Sequence, residues 1–506
     1  MMSERSQSPF LLVLLTVGLL GLLSLLPASL TIGSVELRPV RLLADVLRKP
    51  SPRRGLRLPL PNGPAAPGPA KAGGAATATT AQPADSAAAL PAAPTEPNLP
   101  GLENFVAALR QTKATGRQTR IAYFGDSMIE GDMITGELRN LLQRAFGGSG
   151  VGFVPVNSIT ADFRETILQS FSDTWYEYNL TSDKIPAASP LGVSGHVFLP
   201  RELPAAGSGV TPDTSWVQFK AGPAYATTRR LPLARLFYGP GNAQDQVIVT
   251  TNGHRVPHAL PGAATVNELV LKPGSPARVM RFDFANHGPR PVYGVSFEGE
   301  GGVVLDNFSF RGNSGMSLTK IPPAQLAAFG RHLNYNLVVL QYGVNIADAR
   351  NKSYDWYARA MTRVVDRMHR AFPGASILIV GMSDKSSRID GEFQTDPSVP
   401  RLLKSQRQLA ERNQAAFWNL YDAMGGENSM VRWVEDTPPL ANKDYTHVNY
   451  RGGRKVANLL YNYLMAEYNH PGAAAAEPVA SATPTKADSA VRPAPRPALR
   501  PDSANR

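Results

Sequence analysis

Three short segments of this sequence carry residue types suited to acyl chemistry: Gly125-Asp126-Ser127, Gly343-Val344-Asn345, and Asp444 with His447 in the run Asp-Tyr-Thr-His. A serine hydroxyl attacks a carbonyl when a base takes its proton, and the base needs an orienting carboxylate. Asp444 and His447 are three apart, so one loop or helical turn can set the carboxylate against the ring while the other ring nitrogen faces Ser127. The developing oxyanion needs donors, and the Ser127 N–H, a glycine N–H from FRGNSGMSL (310–318) and the Asn345 amide can supply them. Two plainer readings stand beside this one. Asp and Ser next to Gly also make an ordinary turn, and Asp126, Asp132, Asp444 and His447 could be taken as a metal cluster. No dedicated ligand spacing supports a metal, and the chain has no cysteine, so neither metal nor cofactor is expected.

Such residues must be delivered by a frame. RIAYFGDS reads as a buried strand of a parallel sheet, apolar on both faces, and YNLVVLQYGVN (335–345) and ASILIVGMSD (375–384) repeat the signature. Helical spacing at 101–112, 132–146, 354–371 and 401–418 alternates with them, and a last helix is expected over Arg451 to Tyr468. This pattern predicts a doubly wound α/β sheet whose crevice lies beyond the carboxyl ends of the strands, where all three segments fall. The helix after Ser127 would turn its N-terminal N–H groups towards the oxyanion, with Asp132 near the helix start. Residues 160–300 differ. VSGHVFLP, DTSWVQFKA, LARLFYG, DQVIVTTNG, RVMRFDFAN and VYGVSFEGEG are short strands between Gly, Pro and Asn turns, which predicts an inserted β-sandwich.

Taken in order, these blocks resemble the SGNH (GDSL-type) hydrolases. Ser127 matches the nucleophile position, Gly315 in Asn313-Ser314-Gly315 the second-block glycine with Gly312 as the alternative, Asn345 the third block, and Asp444 and His447 the last. The resemblance spans residues 118–157 and 306–465. It implies a flavodoxin-like three-layer α/β/α fold, metal-free ester hydrolysis by a Ser127-His447-Asp444 triad, and an oxyanion hole from Ser127, Gly315 and Asn345. The long β insertion, with GDSMIEGDMITGELRNLLQ and GVGFVP, is similar to the branch that removes O-acetyl groups from bacterial peptidoglycan, in which the inserted module resembles a carbohydrate-binding β-sandwich. Met128 stands where such relatives often carry histidine. An O-acylated glycan is therefore the implied substrate, with acyl transfer to an envelope polysaccharide, or a catalytically silent glycan-binding protein, as the alternatives.

The rest of the chain suggests a tether. Phe10 to Leu26 is uncharged and apolar over seventeen positions, which favours an uncleaved anchor over a cleaved signal. Arg38, Arg41, Arg48, Lys49, Arg53 and Arg54 follow it and would hold the body in the cytoplasm if loop charge alone decided; long domains translocate largely regardless of charge, so the expected location is the periplasm or cell surface. The expected organisation is an anchor or signal segment (1–32), an Ala/Pro-rich flexible linker (33–100), a first hydrolase part (101–160), the β insertion (161–300), a second hydrolase part (301–470) and an Ala/Pro-rich tail (471–506). Of the net charge of +12, the first hundred residues hold +4 and the tail +2, leaving a mildly basic body with no nucleic-acid motif. Trp175, Tyr176, Tyr178, Trp216 and Tyr238 are expected to fill the module's core more than to stack on sugars. The polar stretch 384–407 is expected as a loop over the crevice, with Arg388 and Arg401 as candidate glycan contacts.

Overall fold

The computed structural model describes residues 30–32, 35–37, 100–202 and 214–470. The apolar run 10–26, the Ala/Pro-rich run 50–99 and the tail 471–506, on which the anchor, linker and tail readings rest, lie outside the described residues. Among the described residues no helix is long and apolar enough to cross a membrane. The chain divides into two units, residues 1–86 and 87–506. In the first, Leu30–Ile32 (β1) and Val35–Leu37 (β2) pair antiparallel.

The second unit opens with α1 (Glu103–Thr115), β3 (Thr119–Gly125), a 3-10 turn over Ser127–Asp132, and α2 (Thr135–Phe146). Eleven antiparallel strands follow: β4 (Gly152–Val154), β5 (Ile167–Phe171), β6 (Tyr176–Asn179), β7 (His196–Leu199), β8 (Ser215–Ala221), β9 (Leu233–Tyr238), β10 (Gln246–Thr251), β11 (His254–Ala259), β12 (Asn267–Leu271), β13 (Val279–Ala285) and β14 (Val292–Glu298). The chain then returns through β15 (Val303–Ser309), α3 (Pro323–Leu333), β16 (Leu337–Gln341), α4 (Asp355–Ala371), β17 (Ser376–Val380), the hairpin β18 (Ser386–Ile389) and β19 (Glu392–Thr395), α5 (Ser398–Arg412), β20 (Ala416–Trp418), α6 (Leu420–Met424), α7 (Ser429–Glu435) and α8 (Tyr450–Asn469).

Five strands form a parallel sheet in the order β15-β3-β16-β17-β20. In chain order this is 2-1-3-4-5, the flavodoxin-like arrangement, in which the crevice opens where the order reverses beside the first strand. Every residue of β3, β16 and β17 is buried, as continuous apolar runs require when both faces are covered. One face packs on α3, α4 and α5: α4 turns Tyr357, Met361, Val364, Val365 and Met368 inward at helical spacing. The other face packs on α1, α2 and α8 through residues such as Phe105, Leu138, Leu142 and Leu460. The result is the three-layer α/β/α fold.

The antiparallel strands make two sheets, ordered β11-β10-β13-β8-β5 and β12-β9-β14-β7-β6, with β4 paired to β14. Val217, Phe219, Val249 and Phe282 of the first meet Leu236, Val295 and Phe297 of the second in one apolar core, which is a sandwich arrangement. The sandwich is not isolated from the α/β layers. Phe153, Val197 and Tyr293 share a core cluster with Phe308 and Phe329, and buried Arg120 of β3 donates to Asp306 of β15 at 2.8 Å and to Glu298 of β14 at 2.5 Å.

Pattern alone singles out neither of the two remaining parallel strands. β15 carries Asp306 and Asn307 in its middle yet is buried, because Arg120 and Tyr335 bind Asp306 and the Asn307 amide is fully used. β20 is three residues long and follows a helix that ends at Arg412, so 401–418 is helix, turn and strand rather than one helix. The stretch 384–407 is likewise structured, as the β18–β19 hairpin and the first part of α5.

Candidate active site

β3 ends at Gly125, where a Cβ would lie 2.9 Å from the Ile129 side chain and 3.1 Å from the Gln341 carbonyl. The close approach lets the chain turn at once, and Asp126 fixes that turn: its Oδ1 accepts the Met128 N–H at 3.0 Å and its Oδ2 the Asn345 amide at 3.0 Å. Asp126 is buried. That burial pushes its carboxyl up to about 7, against the opposing pull of the Met128 N–H, the His447 charge and the Asn345 amide. The helix expected over 132–146 begins at Thr135, because Gly131 and Asp132 take left-handed φ values of 61° and 64°. A single 3-10 turn therefore presents Ser127, and its N–H has no acceptor among the described residues.

Asp132 locks the end of this turn. It accepts from Thr135 at 2.8 Å, Arg139 at 3.2 Å, Arg164 at 3.0 Å, Asn307 at 2.8 Å, and Thr166. Burial alone would raise this carboxyl; the two guanidiniums and the Thr166 bond outweigh it and hold the pKa far below the usual range. Asn307 also binds the Ile129 carbonyl at 2.8 Å, so β15 grips the turn from its side. No short motif marks Asn307, and the sequence places Asp132 only near a helix start or in a metal cluster. The side chain of Met128 is buried in the core beneath the sheet and does not line the crevice.

The expected base, His447, lies 320 residues away, in the loop before α8, a helix capped by the Asn449 side chain. His447 Nε2 is 2.9 Å from Ser127 Oγ, and His447 Nδ1 is 2.8 Å from Asp444 Oδ2. Asp444 Oδ1 accepts the backbone N–H groups of Thr446 and His447, each at 3.0 Å. Partial burial raises Asp444, but these bonds and the ring outweigh it, so the carboxyl stays ionised below its ordinary range. The loop is braced from outside: Tyr445, at φ 54°, stacks on Phe393 of β19 with centroids 3.7 Å apart, and its carbonyl accepts the Ser386 N–H at 2.9 Å. The stretch 384–407, expected as a loop over the crevice, places this hairpin against the His447 loop.

The third shell of donors is arranged differently from the expectation. The Gly315 N–H donates to Asn313 Oδ1 at 2.9 Å, and a Cβ there would meet Tyr342 and Met361, so Gly315 belongs to the core side of its loop. Gly312, the alternative in the same segment, has an N–H with no acceptor among the described residues and open space around its Cα, at φ 73°. This loop reaches the nucleophile turn because the Phe310 N–H donates to the Gly125 carbonyl at 2.9 Å. Asn345 does come to the site, but its amide is divided between Asp126 Oδ2 and the Asn313 carbonyl, both at 3.0 Å.

The peripheral candidates separate in the same way. Trp175 packs edge-on against Phe284 and bonds the Trp216 carbonyl, while Arg281 lies over Trp216 at 3.9 Å; Tyr238 is buried, Tyr178 packs on the core, and Tyr176 is exposed. Arg388 lies over Phe393 at 4.9 Å, and Arg401 binds the Ala349 and Asn351 carbonyls. Among the described residues no cluster of three His, Asp or Glu is arranged to hold a metal ion.

No protein-family model and no curated protein sequence matches the chain. Among solved structures, one described as "Peptidoglycan O-acetylesterase in action, 5 min" is 20% identical, with a TM-score of 0.57 over 72% of this chain and 96% of that one. The acetyl xylan esterase AlAXEase (18% identity, TM-score 0.24, 32% of this chain and 81% of that one) and Est24, a carbohydrate acetylesterase from Sinorhizobium meliloti (13%, 0.24, 32% and 79%), are too distant in geometry to carry an argument. The first match shows a shared fold along nearly the whole of that protein, here a three-layer α/β/α fold with added antiparallel sheets.

Proposed function

We propose that this protein is a serine esterase that removes O-acetyl groups from a cell-envelope glycan, peptidoglycan first. The observation that carries the reading is the continuous line Ser127 Oγ, His447 Nε2, His447 Nδ1, Asp444 Oδ2, with contacts of 2.9 and 2.8 Å, at the carboxyl end of the parallel sheet. Ser127 attacks the acetyl carbonyl while His447 takes its proton and Asp444 holds the ring in the tautomer that leaves Nε2 free to accept. The tetrahedral oxyanion is met by the N–H groups of Ser127 and Gly312, both without acceptors among the described residues. Asn345 joins them by exchanging one of its two present acceptors for the oxyanion. His447 then gives its proton to the departing sugar oxygen, and water activated by the same ring releases acetate from Ser127. The described likeness to a peptidoglycan O-acetylesterase supports the choice of substrate, and the apolar segment 10–26 supports a place at a membrane with the body outside the cytoplasm.

The test is hydrolysis of p-nitrophenyl acetate by the full-length protein and by Ser127→Ala, with an expected loss in kcat on the order of 10⁴-fold or more. Equal rates would overturn the reading. Acetate release should be faster from O-acetylated peptidoglycan than from acetylated xylan, and a reporter fused after residue 100 should be active outside the cytoplasm only.

A further inference from the structure

The two backbone donors of the proposed oxyanion hole come from separate loops, the Ser127 N–H from the nucleophile turn and the Gly312 N–H from the loop after β15. Two such groups serve one oxygen only if their loops are tied together, because a donor displaced from the developing charge loses most of its effect. Residues 310–313 form a β-turn closed by the Asn313 N–H on the Phe310 carbonyl at 3.2 Å, and Gly312, at φ 73°, is its one residue of positive φ. This is the type II pattern, and its central peptide, between Arg311 and Gly312, makes no bond inside the turn. A Cβ at Gly312 would meet nothing within 4 Å, so packing on the glycine does not aim its N–H either. The direction must be set through a neighbour.

Arg311 is that neighbour. Its guanidinium forks onto the Glu130 carboxylate: Nε donates to Oε1 and Oε2 at 3.1 and 3.0 Å, and Nη2 to Oε2 at 2.7 Å. Glu130 belongs to the nucleophile turn, three residues after Ser127. An ion pair with both ends in water contributes little, and the Arg311 side chain is 58% exposed, but that of Glu130 is only 6% exposed. Among the described residues the Glu130 carboxylate accepts from Arg311 alone, and a buried carboxylate stripped of its partner is costly. The fork thus joins the turn that carries Ser127 to the residue whose carbonyl shares a peptide plane with the Gly312 N–H. The Phe310 N–H on the Gly125 carbonyl ties down the start of the same β-turn, so two successive residues before Gly312 are fixed to the nucleophile segment.

We infer that Glu130 and Arg311 are the positioning pair of the oxyanion hole: their fork fixes the Arg311–Gly312 peptide against the nucleophile turn, so that the Gly312 and Ser127 N–H groups meet one oxygen. This inference rests on the esterase reading and names the groups that aim its donors. In this role neither side chain contacts the ester, and the pair acts on the transition state through the backbone.

The experiment compares the full-length wild type with Ser127→Ala, Arg311→Met and Arg311→Lys, by hydrolysis of p-nitrophenyl acetate and by inhibition with phenylboronic acid. In the boronate adduct Ser127 Oγ adds to boron and its proton passes to His447, so a boron-bound oxygen stands where the oxyanion would. Loss of a whole oxyanion donor costs about 10²–10³ in kcat, and a misaimed donor loses part of that, so Arg311→Met should lower kcat by about tenfold. KM should stay within about twofold, and phenylboronic acid should bind about tenfold more weakly, because the lost interaction belongs to the tetrahedral state. Arg311→Lys keeps the charge and should retain more of both rate and boronate affinity than Arg311→Met. Arg311→Met strands a buried carboxylate; if it melts, the double variant Glu130→Gln with Arg311→Met removes that charge and is read in its place. An unchanged kcat in the folded variant, or a fall in kcat with unchanged boronate affinity, overturns the inference and leaves the esterase reading standing so long as the wild type outpaces Ser127→Ala. A wild type no faster than Ser127→Ala removes that reading and this inference with it.

Discussion

The nucleophile turn and the base loop meet at a single 2.9 Å contact, yet they are held by opposite means. The turn from Asp126 to Asp132 is fixed by buried charge: Asp132 and Arg139 have side chains 1% and 0% exposed, and five groups from three different segments converge on one carboxylate. The base loop is half open. The side chains of His447 and Asp444 are 33% and 49% exposed, and the loop rests on its own backbone bonds and one aromatic stack. An ester chemistry that swings one proton back and forth through a histidine benefits from this division. In the proposed esterase the attacking oxygen must not wander, because effective concentration depends on its position, while the ring must stay close to solvent to deliver a proton to the proposed leaving sugar and then activate water.

The largest effect that would sharpen the contrast falls on the open loop. Asp444→Asn keeps the shape of the side chain but favours the wrong tautomer at His447, and kcat on p-nitrophenyl acetate should fall by roughly 10⁴-fold with little change in folding stability. A loss below tenfold would mean that Asp444 does not orient the base. The next largest falls on the buried turn and reads out as stability. Asp132→Asn leaves Arg139 and Arg164 without their carboxylate, and a broken buried ion pair of this kind costs about 3–5 kcal/mol. Denaturant unfolding should show that loss; a variant as stable as the wild type would show that the turn does not depend on its charge network.

A smaller, pH-dependent effect separates Asp126 from Asp132. Because burial raises the folded pKa of Asp126 from 3.8 to about 7, the stability linked to this group is fully present below pH 3.8 and is lost as pH rises towards 7. Asp126→Asn cannot titrate. It places an amide opposite the Asn345 amide, which shifts stability by an amount that does not vary with pH, so the difference between wild type and variant should move steadily against the wild type from pH 4 to pH 7. A difference that stays flat over that window would show that Asp126 keeps an ordinary pKa in the folded protein.

What the sequence shows of this arrangement follows the same division. β3, β16 and β17 announce themselves because strands buried on both faces are apolar throughout, and the polar residues that end β3 and β16 stand out against those runs. Ser127, Asn345, Asp444 and His447 could be picked by type and order, and the structure brings them to one crevice. The buried charges are hidden for a physical reason. Asp306 and Asn307 make β15 look like a turn until Arg120, 186 residues earlier, is seen to neutralise Asp306, and nothing in a local window records such a partner. Gly312 and Gly315 are both glycines of the left-handed region, and the direction of the Gly315 N–H towards Asn313 and its packing against Tyr342 and Met361 tell them apart. The hairpin 386–395 is polar in composition because one of its faces meets solvent, so its role as a brace lies in a single phenylalanine and one backbone bond from Ser386.

That phenylalanine gives the gentlest break of the comparison. Phe393→Ala removes a ring lying 3.7 Å from Tyr445 at an interplanar angle of 8°, together with the surface over which Arg388 lies. A stacked pair contributes about 0.5–1.5 kcal/mol beyond its burial. If that energy serves to hold the Asp444–His447 loop in register, the variant should lower kcat on p-nitrophenyl acetate by about fivefold, since 1.36 kcal/mol is tenfold in rate. KM should stay near its original value, because the stack touches the base loop and not the ester, and Phe393→Tyr should restore the rate by rebuilding the ring contact. A variant with unchanged kcat and a lowered melting temperature would assign the stack to stability alone, and the base loop would then owe its geometry to the Asp444 carboxylate and the Ser386–Tyr445 backbone bond.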